Sequence, residues 1–177
     1  MRKELEYSTG TVYGFEMLGL SHEFVITKLK EAVNKLVEKY SDKIIAVGLF
    51  GSYARGEANE RSDVDVIVVV RNWNRGLERR FQIYDVLHRY LRRDITLIDL
   101  DYQDIEEILA RRRTITTTML NIIYDCIPVY DPLNILKQLK ELVSKVISEL
   151  GLERYRVGRA YGWKRRDGNP LVPIKLE

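Results

Sequence analysis

The chain has 177 residues, which is enough for one ordinary domain with a buried core. Hydrophobic residues make up 45% of it and charged residues 31%, a balance typical of globular proteins in water. The longest uncharged apolar run, Ile44 to Phe50, is too short to cross a bilayer, and the start at Met1 lacks a secretory apolar region. We therefore expect no membrane segment and a cytoplasmic location. The single cysteine, Cys126, excludes an internal disulfide and is expected to be a small buried residue.

The formal net charge of +3 is distributed unevenly along the chain. From residue 151 onward there are seven Lys and Arg residues and three acidic residues, whereas the rest of the chain carries 22 basic and 23 acidic side chains. Aromatic and basic residues interleave from Tyr155 to Arg166, a composition that suits base stacking combined with phosphate contact. This tail is therefore a possible nucleic-acid or partner surface, and a solvated or partly packed extension is the alternative.

The hydrophobic pattern predicts helices alternating with strands. Residues 1–20 show no clear period and form an N-terminal extension, after which Ser21 caps a predicted helix that runs to about Tyr40. Two buried strands, Ile44 to Phe50 and Asp63 to Val70, are predicted on either side of a turn and loop. The later segments are predicted, in chain order, as a helix from about Leu77 to Arg92, a strand from Asp94 to Leu100, helices over Tyr102 to Arg112 and Thr114 to Tyr124, and a short strand from Ile127 to Tyr130.

A last predicted helix carries an apolar stripe at alternating three- and four-residue steps, which is the pattern of a helix that packs on another helix. Its members are Leu136, Leu139, Val143, Val146 and Leu150. Packing within the same chain and a homodimer seam both satisfy this pattern. Beyond Gly151 the tail shows no sustained period.

The residue pattern with the most chemical content begins where the first strand ends. Gly51-Ser52 forms a turn in which glycine tolerates the backbone angles that direct N–H groups toward an anion. Asp63 and Asp65 stand two positions apart on the next strand and must point to the same side of the sheet. Two carboxylates at the mouth of a strand that is buried on both sides are costly without a cation, and Mg²⁺ accepts such oxygen ligands.

These residues resemble a known signature. Phe50-Gly51-Ser52, followed after ten residues by Asp63-Val64-Asp65-Val66, is similar to the motif of the polymerase-beta-type nucleotidyltransferase superfamily, and most similar to its small minimal nucleotidyltransferases. The resemblance covers roughly residues 25 to 130. It implies an α+β fold with a small mixed sheet backed by helices, as in the polymerase beta palm. It also implies a domain over residues 21–131, between the N-terminal extension at 1–20 and a C-terminal helix and basic tail at 132–177.

The resemblance implies an enzyme that transfers a nucleoside monophosphate, AMP in particular, from a nucleoside triphosphate to a hydroxyl acceptor. Two Mg²⁺ ions would be held by Asp63, Asp65 and a third carboxylate. Gly51 and Ser52 would bind the β- and γ-phosphates, and Arg55 could reach the same triphosphate. The acceptor could be a protein, because similar small proteins act as antitoxins that adenylylate a HEPN-type toxin, and the sequence does not identify it.

Two residues compete for the third carboxylate. Asp94 opens the predicted strand after the long helix, as the resemblance implies, although Arg93 stands where an apolar residue is usual. Asp99 has apolar neighbours on both sides. The two acids have opposite parity on a regular strand, so only one of them can face the site. We favour Asp94 and keep Asp99 as the alternative.

Other site classes do not fit the sequence. A phosphate-binding P-loop needs Lys and then Ser or Thr after its second glycine, and Gly56 is followed by Glu57 and Ala58. His22 and His88 are far apart in sequence, which disfavours a histidine-based zinc site. A non-catalytic antitoxin-like or RNA-binding protein on the same fold remains the rival hypothesis, although a pure binder has no need for the acidic set.

Overall fold

The structure is a computed structural model, in which residues 22–169 and 171 are described. The N-terminal extension predicted at residues 1–20 and the helix cap predicted at Ser21 lie outside this part of the chain. The elements in chain order are α1 (His22–Lys39), β1 (Ile44–Phe50), α2 (Gly51–Ala54), β2 (Val64–Val70), α3 (Leu77–Leu91), β3 (Ile95–Asp101), α4 (Tyr102–Leu109), α5 (Thr117–Asp125), β4 (Ile127–Tyr130), α6 (Ile135–Glu149), β5 (Leu152–Val157) and β6 (Ala160–Arg165).

A four-stranded mixed sheet in the order β3-β2-β1-β4 forms the centre of the fold. Strand β1 runs antiparallel to both β2 and β4, and β2 runs parallel to β3. Helix α3 makes the crossover between β2 and β3 that parallel neighbours require. The predicted α+β fold with a small mixed sheet backed by helices is confirmed.

Helices cover both faces of the sheet, so its central strands are apolar on both sides. One face packs against α1 and α3, with Leu29 and Leu87 fully buried. The other packs against α4, α5, α6 and the segment from Leu152 to Trp163, with Leu120 and Leu139 fully buried. All of the residues of β2 except Asp65 are buried, as its unbroken valine and isoleucine run predicts. Asp65 is therefore the polar exception in an otherwise apolar strand.

The apolar stripe of α6 packs within the chain. Leu136, Leu139, Val143 and Val146 are at most 3% exposed, because they lie against the sheet and the neighbouring helices of the same molecule. A homodimer seam along this stripe, which the sequence left open, is therefore wrong. Cys126 is buried in the same core, as predicted, and its thiol lies close to Gly48, where a β-carbon would come within 2.5 Å of the sulfur.

Two segments differ from the sequence-based prediction. Gly51–Ala54, predicted as part of a loop, forms one turn of helix directly after β1. The tail, predicted to lack regular structure, forms an antiparallel hairpin in which β5 pairs with β6 from Leu152 opposite Arg165 to Val157 opposite Ala160. No helix within the described residues is long and apolar enough to span a membrane.

Candidate active site

The site is built around a glycine at the end of β1. Gly51 has a φ of +69°, a left-handed conformation that side chains disfavour. A β-carbon at this position would stand 1.9 Å from Asp65 Oδ2, which is far inside van der Waals contact. Glycine is thus required both by the backbone turn and by the close approach of the carboxylate from β2.

Asp63 and Asp65 lie on the same side of the sheet beside this turn. Asp63 is exposed and directly precedes β2, whereas Asp65 is half-buried within it. Burial and the negative charge of Asp63 raise the pKa of Asp65 from 3.8 to about 6, although hydrogen bonds from the Thr96 hydroxyl and the Ser52 backbone N–H oppose the shift. The pair is electrostatically unfavourable when both carboxylates are ionised, and a cation beside them would relieve the repulsion.

The parallel pairing of β2 with β3 decides which β3 side chains face the pair. Asp65 lies opposite Thr96, and Thr96 Oγ1 is 3.4 Å from Asp63 Oδ2. Asp94 is exposed and directly precedes β3, where its backbone carbonyl accepts a hydrogen bond of 2.9 Å from the N–H of Val64. The residue level with the acidic pair on β3 is therefore a threonine, and Asp94 precedes this threonine by two positions.

Asp99 lies on the opposite face of the sheet, as its parity predicts. Its carboxylate accepts two hydrogen bonds from Arg79 of α3, at 2.8 Å from Nε and 2.5 Å from Nη2. Arg79 is 1% exposed and also donates to Asp101 at 2.7 Å, so the ion pairs neutralise a guanidinium buried between α3 and the sheet. The alternative in which Asp99 supplies the third carboxylate is therefore wrong, because Asp99 faces away from Asp63 and Asp65.

The oxygen donors beside Gly51 fit a hard divalent cation. They are the carboxylates of Asp63 and Asp65 with the hydroxyl of Thr96, and the raised pKa of Asp65 indicates an excess of negative charge in a partly desolvated place. Within residues 22–169 and 171, no three acidic, histidine or cysteine side chains form a group that could hold a metal ion. The participation of Asp94 as a third ligand stays a prediction.

A cleft of about 600 Å³ opens beside the acidic pair, a volume in the usual range for small-molecule sites. One wall is formed by Gly51 and Asp65, and another by residues of the C-terminal hairpin, including Arg154, Arg159 and Tyr161. Of the three residues predicted from sequence to bind the nucleotide, the structure places two in the lining of this cleft. Gly51 and Arg55 line this cleft, whereas the Ser52 N–H is directed at the Asp65 carboxylate.

Arg55 lies in a network of charged side chains at the back of the cleft. It donates to Asp125 at 2.6 Å and to Glu57 at 2.9 Å, and its guanidinium stacks 4.6 Å from the ring centre of Tyr161. Asp125 is 6% exposed and also receives two hydrogen bonds from Arg154, at 2.7 and 2.8 Å. Arg55 therefore joins the turn after β1 to the hairpin, a contact that no sequence pattern indicated.

The hairpin is the part of the site that the sequence analysis missed. Its two-residue loop, Gly158-Arg159, has Gly158 at a φ of +60°, and this glycine between two alternating segments was the available signal. Trp163 is 6% exposed and donates 2.8 Å to Asn121 of α5. Of the three aromatic residues in the hairpin, only Tyr155 is more than a third exposed. Nucleic-acid contact through this tail stays a prediction, now with fewer exposed rings available.

Similar chains occur among solved structures. One belongs to a crystal structure of a toxin-antitoxin with AMP-PNP, with 17% identity and a TM-score of 0.48 over 68% of this chain and 88% of that one. Another belongs to the complex of a tri-AMPylated Shewanella oneidensis HEPN toxin with an MNT antitoxin, with 15% identity and a TM-score of 0.44 over 71% of this chain and 88% of that one.

Family membership follows from the sequence comparisons. The family model described as "Polymerase beta, Nucleotidyltransferase" matches residues 31–120, which include the glycine turn and both acids. Two Methanocaldococcus jannaschii proteins are similar. "Putative protein adenylyltransferase MJ1305" is 29% identical over 69% of this chain and 82% of its own length, and "Putative protein adenylyltransferase MJ0141" is 34% identical over 45% and 77%. The chain belongs to the polymerase beta nucleotidyltransferase family and is a nucleotidyltransferase enzyme.

Proposed function

We propose that this enzyme transfers AMP from ATP to a hydroxyl group of a protein. The observation that carries the proposal is Asp65, which lies against the Gly51 turn on the wall of a cleft of about 600 Å³ and has the negative charge of Asp63 beside it. The names of the two M. jannaschii relatives support a protein as the acceptor and adenylate as the transferred group. A HEPN-type toxin is the candidate acceptor that the family resemblance supplies.

The reaction exchanges a phosphoanhydride bond of the triphosphate for a phosphodiester bond to the acceptor. The acceptor oxygen attacks the α-phosphorus, a P–O bond forms, the bond from the α-phosphorus to the bridging oxygen breaks, and pyrophosphate leaves. Two Mg²⁺ ions at the site would lower the pKa of the acceptor hydroxyl and neutralise charge on the departing pyrophosphate. Asp63 and Asp65 would hold them, and Asp94 would complete the set near the acceptor and receive its proton.

The glycine turn and the cleft position the nucleotide. Gly51 lines the cleft and, since it carries no side chain, lets the Asp65 carboxylate lie directly against the backbone of the turn. Ser52 offers its hydroxyl to the phosphates of the nucleotide. Arg55 lies on the cleft wall, where its charge is neutralised by Asp125 and Glu57, so its role is to hold the turn after β1 against the hairpin.

The test uses ATP labelled either at the α-phosphate or at the γ-phosphate, with Mg²⁺ and candidate protein acceptors. We expect label to reach protein from the α-position only, because adenylylation retains that phosphate and phosphorylation retains the other. Asp63→Ala and Asp65→Ala should each lower transfer on the order of 100-fold. Asp42→Asn, an exposed acid at the far end of β1, is the matched control and should leave transfer unchanged.

Three results would contradict the proposal. Transfer from the γ-position would mean a kinase rather than a nucleotidyl transfer to protein. Equal transfer by wild type and both alanine variants would remove the acidic pair from the mechanism. Absence of both transfer and Mg²⁺-dependent nucleotide binding would favour the rival function, a binding protein that keeps the fold and acts by contact.

A further inference from the structure

The C-terminal hairpin lines the same cleft as Asp65 and the glycine turn. Gly51 and Asp65 line one side, and Arg154 and Arg159 of the hairpin line another. The polymerase beta family match ends at residue 120, so the hairpin lies beyond it. A wall of the nucleotide cleft is therefore formed by a part of the chain that the family motif does not include.

Buried contacts fix the hairpin in this position. The side chain of Arg154 is 17% exposed, and both of its terminal nitrogens donate hydrogen bonds to the Asp125 carboxylate of α5, at 2.7 and 2.8 Å. Asn121 of α5 accepts from Trp163 at 2.8 Å and donates to the Tyr161 carbonyl at 3.0 Å. A bidentate buried ion pair and two further hydrogen bonds make the hairpin a rigid wall.

The charges on this wall are unequal. Asp125 is shared by Arg55 and Arg154, and both guanidinium groups are occupied by it. Arg159, at the tip of the hairpin, is exposed to the cleft and makes no ion pair or hydrogen bond with the described residues. The cleft thus combines the carboxylate of Asp65, next to that of Asp63, with a guanidinium that has no partner among the described residues, and a metal-bound triphosphate would match this polarity.

We propose that Arg159 is a triphosphate-binding residue of this nucleotidyltransferase, and that the hairpin serves to present it. The proposal rests on the proposed function, because it assumes a nucleoside triphosphate in the cleft. A guanidinium offers a planar fork of donors that matches two phosphate oxygens, and it stays charged at any physiological pH. Cations bound by Asp63 and Asp65 would neutralise one side of the triphosphate and Arg159 another, while Arg154 acts as a positioning residue.

The experiment is calorimetric titration of the full chain with α,β-methylene-ATP in the presence of Mg²⁺, and separately with AMP. Arg159→Ala should weaken binding of the triphosphate analogue by about 10-fold, since one charge-assisted contact in a solvent-accessible cleft is lost. Binding of AMP should change by less than about twofold, because AMP lacks the phosphates in question. Arg159→Lys should restore part of the lost affinity, since the charge remains and the fork does not.

Arg166→Ala is the matched control. It also removes one exposed arginine from the same part of the chain, but Arg166 follows β6 and pairs with Glu153 at 3.4 Å instead of lining the cleft. Its affinity for the analogue should equal that of the wild type. A general effect of charge on an anionic ligand would instead weaken both variants alike.

The outcomes distinguish a failure of the Arg159 proposal from a failure of the proposed function on which it rests. If the wild type binds the analogue and Arg159→Ala binds it equally well, the inference is overturned and the proposed function stands. Equal weakening by Arg159→Ala and Arg166→Ala also overturns it, since the effect would then be non-specific. If the wild type itself binds no analogue with Mg²⁺, both proposals fail together. Unchanged melting temperatures of the variants verify that folding is intact.

Discussion

Replacing Asp65 with asparagine should stabilise the metal-free protein at neutral pH while removing its response to Mg²⁺. Asparagine has nearly the same shape and still offers an oxygen to the Ser52 N–H, but it carries no charge to be desolvated or repelled by Asp63. The wild-type fold keeps an ionised carboxylate where burial and a like charge oppose ionisation. We therefore expect a site optimised for cation binding to reduce the stability of the protein without the cation.

The magnitude follows from the raised pKa of Asp65. The folded value of about 6 lies above the ordinary 3.8, so the folded state holds the proton more tightly and stability falls as pH rises through this window. The full difference corresponds to a ceiling of about 3 kcal/mol, which solvent screening around a half-buried side chain reduces to about 1 to 2 kcal/mol. At pH 5 only about half of this loss of stability is present, because the Asp65 carboxyl of the folded protein is then largely protonated.

The assay is urea denaturation of wild type, Asp65→Asn and the control Asp42→Asn at pH 5 and pH 8, each with and without Mg²⁺. The gain from Asp65→Asn should be larger at pH 8 than at pH 5. Mg²⁺ should stabilise the wild type by mass action and leave Asp65→Asn unaffected. Asp63→Asn should recover only part of the gain, since burial is the larger cause of the shift and remains. A loss of stability in Asp65→Asn at pH 8, or a gain independent of pH, would refute the reasoning.

Three further predictions concern single positions. Gly51→Ala should abolish Mg²⁺-dependent nucleotide binding in titration calorimetry, because the added methyl would occupy the place of the Asp65 carboxylate, and retained affinity would contradict this close approach. Arg79→Ala should lower the free energy of unfolding by about 3 to 5 kcal/mol, because the nearly buried Asp99 would keep only the more distant Arg80, at 4.0 Å, as a partner, while nucleotide affinity of the folded fraction stays normal. Cys126 should resist thiol-reactive probes in the native state and react in denaturant, since burial raises the pKa of its thiol to about 12, and rapid native labelling would show that this core opens.

Local patterns were sufficient for the centre of the site. The apolar run before Gly51 and the two-residue spacing of Asp63 and Asp65 depend only on strand alternation and on the backbone freedom of glycine. Burial of β2 on both faces followed from its unbroken valine and isoleucine run, and the structure agrees. Side-chain parity likewise separated Asp94 from Asp99, although it left open which of the two faces the site.

Tertiary structure decided everything that depends on contacts between distant parts of the chain. The placement of Thr96 beside Asp63 comes from the register of β3 against β2, which no residue of β3 specifies alone. The approach of Arg154 to Asp125 is likewise set by the packing of the hairpin on α5. The alternation of apolar residues and the turn residues constrain only the local conformation of a segment. The partner of a buried charge is determined by the packing of the whole fold. The sequence alone therefore determined the acidic pair and its glycine turn, and only the folded chain determined what forms the opposite wall of the cleft.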